Sequence, residues 1–166
     1  MSSACIILKL TITLYSLQIS SNFKPMHVTI PEVTAHLTAH DIRPSAQRIA
    51  IMRYLMENRV HPSADMIYTD LLTDNPTLSR TTVYNTLWLF ADKHAVTALT
   101  IDRTNTRFDY SEFPHAHFLC RKCGRIFDVA ATVSPTVQSG SHTQLHVEQM
   151  DIHYTGLCHD CHSTQN

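Results

Sequence analysis

Cys120-x-x-Cys123-Gly124 and Cys158-x-x-Cys161 carry the strongest chemical signal in the sequence. Each pair suits a tight knuckle in which two thiolates grip one tetrahedral Zn²⁺. The glycine after Cys123 permits the backbone turn that such a knuckle needs. The pairs are separated by 34 residues. That exceeds the usual zinc-ribbon spacing, but the cost of closing a loop grows only slowly with its length. Four thiolates leave no open position, so this zinc is expected to hold the fold rather than do chemistry. The alternatives are a redox Cys-x-x-Cys or unrelated buried thiols. Cys5 is the one cysteine left over, and an odd count in a chain this long does not describe a secreted disulfide framework.

The first pair lies inside FPHAHFLCRKCGRIFDV, residues 113–129. Residues two apart on a strand share a face. His115 and His117 therefore point one way while Cys120, at odd separation, points the other. One tetrahedral site cannot readily take all of them, and the histidines need a second metal with partners from elsewhere. Asp109 in RFDY, Asp128 in IFDV and His61 in HPSAD are the candidates. Three imidazoles and two carboxylates make a mixed nitrogen and oxygen set, which suits Fe²⁺ or Mn²⁺ better than a closed thiolate site does. Spacing alone leaves a plainer reading open, with Asp109 and Asp128 as surface carboxylates and His61 capping a helix.

The elements that must position these residues change period along the chain. Residues 30–93 read as helical, over PEVTAHLTAH, PSAQRIAIMRYLMEN, SADMIYTDLLTD and RTTVYNTLWLFADKH. Ile49, Met52, Tyr54 and Leu55 form one inward stripe. Ile67, Leu71 and Leu72 form a second, and Val83, Leu87 and Phe90 a third. Ser63 and Ser79 stand where N-caps belong. AVTALTID and RFDYS then read as strands joined by a polar turn. Helices closing on a hairpin are the pattern of a winged helix-turn-helix. From residue 113 the strands HAHFLC, RIFDVA and VEQMDIHY describe a small α/β unit, with HAHFLC a candidate to pair across a dimer. SPTVQSGSHTQL lies between them and is broken by Pro135 and Gly140. The expected fold is thus α+β: a winged-helix pattern over 26–111, which other small helical domains share, then a small α/β unit closed by cysteines over 112–166.

The bulk composition bounds the rest. Apolar residues make up 43% of 166 and charged residues 16%, enough for a core and against wholesale disorder. The net charge of -1 gives no composition-level push toward nucleic acid. Twelve histidines stand out, histidine being the commonest metal ligand. Residues 1–25 are apolar but interrupted by Lys9, too short and polar for a membrane span. They are expected to be a non-structural extension, and the protein to be cytoplasmic.

HPSADMIYTDLL, LSRTTVYNTLWLF, RFDY, HAHFLCRKCGRIFDV and GLCHDC occur in an order and spacing that resemble the ferric uptake regulator family over residues 27–163. The resemblance is greatest to its peroxide-sensing branch. It implies a homodimeric transcriptional repressor that binds double-stranded DNA when loaded with metal. It implies structural zinc on Cys120, Cys123, Cys158 and Cys161. It implies a regulatory Fe²⁺ or Mn²⁺ on His61, Asp109, His115, His117 and Asp128, with His61 and His115 the ligands that peroxide oxidises. The iron-uptake branch usually has glutamate where Asp109 and Asp128 stand, and often arginine where Asn85 stands. Arg80, Thr81, Thr82, Tyr84 and Asn85 would face DNA, with tyrosine reaching a phosphate or thymine methyl and asparagine an adenine. Pro114 and Ala116, and Gln149 and Met150, replace ligands of a further metal site, so a third site is not expected. Residues 134–147 are poorer in helix formers than the family's usual helix. The rival within the family is an iron- or zinc-uptake repressor without peroxide sensing. Outside it stand a zinc-dependent hydrolase, which lacks an H-E-x-x-H helix, and a zinc module that binds protein partners. No enzymatic activity is expected, nor any small-molecule partner besides peroxide as the signal.

Overall fold

The computed structural model describes residues 27–102, 104–111, 115–130 and 151–163. The expectations about the extension 1–25, Cys5, Pro114, the segment 134–147, Gln149 and Met150 fall outside the described residues. The described residues form two compact units, one within Lys24–Phe113 and one within Pro114–Asn166.

Hydroxyl side chains start every helix of the first unit. Thr29 and Glu32 form a reciprocal capping box at α1 (Ile30–Ala39). Ser45, Ser63 and Ser79 each accept a backbone N–H at the start of α2 (Ala46–Glu57), α3 (Ala64–Leu71) and α4 (Arg80–Asp92). Ser63 and Ser79 are the two caps expected from the sequence, and His61 is not a cap. The inward stripes meet in one core, where Met52, Leu55, Ile67, Val83, Leu87 and Phe90 are buried. Each large side chain withdrawn from water contributes about 1.5–3 kcal/mol. Ile49, Tyr54 and Leu71 sit at the margin of this core. Tyr54 keeps its hydroxyl outward to donate to the Asp70 carboxylate at 2.5 Å. Leu72, expected inside, is exposed instead: α3 stops at Leu71, and Leu72 is its C-cap.

The hairpin is shorter than its apolar runs. β1 (Thr97–Leu99) pairs antiparallel with β2 (Arg107–Asp109), with Thr97 opposite Asp109 and Leu99 opposite Arg107. The Asp102 carboxylate braces the turn between them. It accepts the Thr104 backbone N–H and hydroxyl at 2.9 and 2.6 Å, and the Arg107 guanidinium at 2.9 and 3.1 Å. Four helices closing on this hairpin make the expected winged-helix arrangement.

The second unit is a three-stranded sheet ordered β4-β3-β5, from β3 (Ala116–Cys120), β4 (Ile126–Val129) and β5 (His153–Gly156), followed by the short α5 (His159–Ser163). β4 runs antiparallel to β3 and β5 parallel to it. Of the strand expected over VEQMDIHY, residues 147–150 lie outside the described residues, and His153 and Tyr154 open β5. The expectation that HAHFLC pairs across a dimer is not met. β3 is the middle strand, and β4 and β5 already occupy its two hydrogen-bonding edges.

Candidate metal centres and reading helix

The first knuckle is a turn fixed by its backbone. The Cys120 N–H donates to the Arg125 carbonyl at 2.9 Å, and the Gly124 N–H donates to the Cys120 carbonyl at 2.8 Å. Gly124 has φ +70, and a Cβ there would meet nothing within 4 Å. Conformation, not space, asks for glycine. β5 delivers the second knuckle alongside, with Gly156 registered against Cys120. The Cys158 N–H donates to the Cys120 sulfur at 3.3 Å. The four sulfurs lie within 4.8 Å of one another, and none of the four is in a disulfide.

This geometry fits zinc. Zn–S bonds of about 2.3 Å put the corners of a tetrahedron roughly 3.8 Å apart, and Cys123 Sγ lies 3.9 Å from Cys158 Sγ. The electrostatics fit as well. Backbone N–H donors pull the Cys120 thiol down to about 6, and the Arg125 guanidinium lowers that of Cys123. Removal from water and the neighbouring sulfurs push Cys161 up to about 12. Sulfurs this close cannot all carry charge unaided, and a bound dication would resolve the conflict.

The imidazoles and carboxylates divide between the two units. In the second unit His115 and His117 bring their Nε2 atoms to 2.9 Å, with ring centroids 4.4 Å apart. Asp128 stands directly opposite His117 in the β3–β4 register. One of its carboxylate oxygens lies 3.2 Å from His115 Nε2 and 4.0 Å from His117 Nε2. The three therefore converge on one face of the hairpin, while Cys120 leaves by the other. In the first unit His61 Nε2 lies 3.6 Å from Asp109 Oδ1, and both residues are buried. The adjoining backbone makes this pair. The Phe108 N–H donates to the Pro62 carbonyl at 3.0 Å, and Ser63 bridges Arg107. His61 itself sits at φ +50, in the left-handed region. That conformation costs a non-glycine residue about 1–2 kcal/mol and is found where surrounding structure holds a functional side chain in place. Neither Asp109 nor Asp128 is the plain surface carboxylate that spacing alone left open.

α4 presents Arg80, Thr81, Tyr84 and Asn85 on its exposed side, while Thr82 is half-buried and supports the cap through Ser79. Tyr84 is 53% exposed, so it is not a core residue. Its ring meets the half-exposed Trp88, which meets Phe108 of β2 edge-on, at centroid distances of 6.2 and 6.1 Å. Arg80 is held on the protein surface, paired with Asp65 and lying over the Tyr68 ring. A cavity of about 490 Å³ opens here, lined by the starts of α3 and α4 and by residues 104–106 of the hairpin turn.

Three residues of these surroundings went unmarked in the sequence: Trp88, Arg125 and Asp160. Arg125 stands two positions after Cys123 and Asp160 between the second pair of cysteines. Opposite charges beside two halves of one thiolate site were the available signal.

A winged helix joined to a small sheet that carries a four-cysteine cluster defines a class of two-unit α+β regulators. The chain belongs to the ferric uptake regulator family, whose pattern it matches over residues 39–157. It is 34% identical over 152 residues to the peroxide-responsive repressor PerR of Staphylococcus epidermidis, covering 89% of this chain and 99% of that protein. It is 35% identical over 137 residues to PerR of Staphylococcus aureus, covering 80% and 90%. Its fold is like that of the ferric uptake regulator Fur of Helicobacter pylori, with a TM-score of 0.62 at 16% identity over 82% of this chain and 95% of that one. Among the described residues, no helix is long and apolar enough to cross a membrane.

Proposed function

We propose that the protein is a metal-dependent, DNA-binding transcriptional repressor that senses peroxide through an Fe²⁺-bound regulatory site. The observation that carries this reading is the division of the ligand set. His61 and Asp109 belong to one unit, and His115, His117 and Asp128 to the other. An ion held by all five would tie the units at one angle, and so set the spacing of two reading helices in a homodimer. Its preference for that state equals what the lost ligands contribute on opening. Two PerR proteins at 34–35% identity support the peroxide branch. Mn²⁺ in the same ligands gives a repressor that does not respond.

In this reading Cys120, Cys123, Cys158 and Cys161 hold structural Zn²⁺, residues 26–111 bind operator DNA and residues 112–166 dimerise. The working compartment is the cytoplasm. Phe127 and Tyr154, exposed and on the sheet face away from His117, support a second copy as partner. Arg80, Thr81, Thr82, Tyr84 and Asn85 read the major groove. Arg80 must leave Asp65 to reach a phosphate, an exchange that is cheap for an exposed ion pair. When bound, Fe²⁺ supplies the reducing equivalent with which peroxide oxidises a neighbouring imidazole. His61 and His115 are the residues expected to be modified, and each then donates poorly, so the two units part.

The test is a gel shift on operator DNA with Fe²⁺- and Mn²⁺-loaded protein, before and after peroxide, with mass spectrometry of the peptides. The expected result is release from DNA only with Fe²⁺, together with one added oxygen on His61 or His115. Release from DNA with no oxidised histidine contradicts the reading.

A further inference from the structure

Arg125 touches a sulfur from each cysteine pair. Its Nε donates to Cys123 Sγ at 3.4 Å, and its Nη2 donates to Cys158 Sγ at 3.6 Å. The same Nη2 donates to Asp160 Oδ2 at 2.5 Å, and the guanidinium lies 5.4 Å from the centroid of the Phe127 ring. A carboxylate from α5 and a ring from β4 thus orient one cation against sulfurs that are 35 positions apart in sequence. The register makes this possible: Arg125 follows the first knuckle into β4, and β5 leads to the second knuckle on the other side of β3.

We propose that Arg125, oriented by Asp160, is a positioning residue that protects the thiolate cluster from peroxide. The proposal rests on the reading of the cluster as a zinc site. Four thiolates on Zn²⁺ carry a net charge of −2, and a guanidinium is permanently cationic and spreads its charge over a planar fork. N–H donors directed at Cys123 and Cys158 occupy the sulfur lone pairs that attack an oxidant. The threatened step has sulfur's lone pair attack one peroxide oxygen. The O–O bond breaks, hydroxide leaves and is protonated by the buffer, and the sulfur, two electrons poorer, becomes a sulfenic acid. A second thiolate then attacks that sulfur and displaces hydroxide to form a disulfide, which can no longer hold zinc. Cys123 and Cys158, 3.9 Å apart, are the pair placed for this. A peroxide sensor whose signal is read at histidine needs its scaffold sulfurs to react more slowly.

The pair with Asp160 is more than half exposed, so its direct contribution to stability is small, and the effect belongs to sulfur reactivity. Thiol nucleophilicity follows thiol basicity with a slope of only about 0.4–0.5, so a lost N–H donor changes the rate by less than it changes the basicity. Zinc-loaded, full-length wild type, Arg125→Met, Arg125→Lys and Asp160→Asn are exposed to hydrogen peroxide. Released zinc is followed with a chromophoric indicator, and cysteine oxidation by mass spectrometry. The expected result is zinc release several-fold faster in Arg125→Met, intermediate in the other two, with unchanged melting temperatures. Equal release rates in zinc-bound wild type and Arg125→Met overturn the proposal. If Arg125→Met fails to hold zinc, wild-type rates in both Arg125→Lys and Asp160→Asn overturn it equally. A wild type that binds no zinc sinks the zinc reading as well, which separates the two failures.

Discussion

The four cysteines differ from the imidazoles and carboxylates in how they sit in the chain's architecture. The four sulfurs belong to one unit, carried by strands that are hydrogen-bonded to each other. The imidazoles and carboxylates are shared out, two residues to the helical unit and three to the sheet. A cluster contained in one unit can only harden it. Under the proposed function, a set distributed over two units would make their arrangement depend on an ion. Donor chemistry follows the same division: soft thiolates suit permanent zinc, while mixed nitrogen and oxygen ligands suit metals that exchange.

The sharpest way to break this contrast is Cys158→Ser. Structural zinc is worth about 10–16 kcal/mol in zinc-finger peptides, so β3, β4 and β5 should lose hydrogen-exchange protection along with the zinc, while α1–α4 keep theirs. Equal loss in both units would refute the containment of the cluster. Phe108→Ala asks the converse question. It removes a ring that is 1% exposed from the helical core and should cost about 3–5 kcal/mol there. Bound zinc, counted by atomic absorption, should stay unchanged. His117→Ala should weaken Mn²⁺ binding, measured by calorimetry, by more than the roughly 10–100-fold that outer-shell partners carry, again without loss of zinc.

The smallest effect belongs to the wing. Bonds from Thr104 first, and from Arg107, hold the Asp102 carboxyl down at about 2, against an ordinary 3.8. The native state therefore binds fewer protons than the unfolded chain between those values. This contribution is complete above the unfolded value and is lost as pH falls through the folded one. Asp102→Asn should lower stability at pH 7 by less than about 1 kcal/mol. In urea titrations the gap to wild type should close as pH falls from 4 toward 2, with Zn²⁺ and Mn²⁺ binding unaffected at neutral pH.

Much of the site was legible because strand parity is a strict rule. It put His115 and His117 on the face opposite Cys120, and the β3–β4 register then set Asp128 across from His117. Caps were legible because a hydroxyl before an apolar stripe has few other uses. Arg125 with Asp160 was not, since their meeting depends on a parallel pairing between distant segments. The middle position of β3 escaped for the same reason, because which strand joins an edge is a tertiary choice. Leu72 misled because periodicity marks a stripe but not where the helix stops.

The parallel pairing of β3 with β5 also sets an order of events in a newly made chain. Hairpin partners such as Ala116 and Val129 are 13 positions apart, whereas His117 meets His153 across 36. A hairpin closes within about 1–10 μs. At about 5–20 residues per second, synthesis delivers Cys158 roughly 2–7 s after Cys123. Two of the four sulfurs are therefore made before the other two. The first knuckle is thus a local product of its own hairpin, and the cluster as a whole is a late, long-range one.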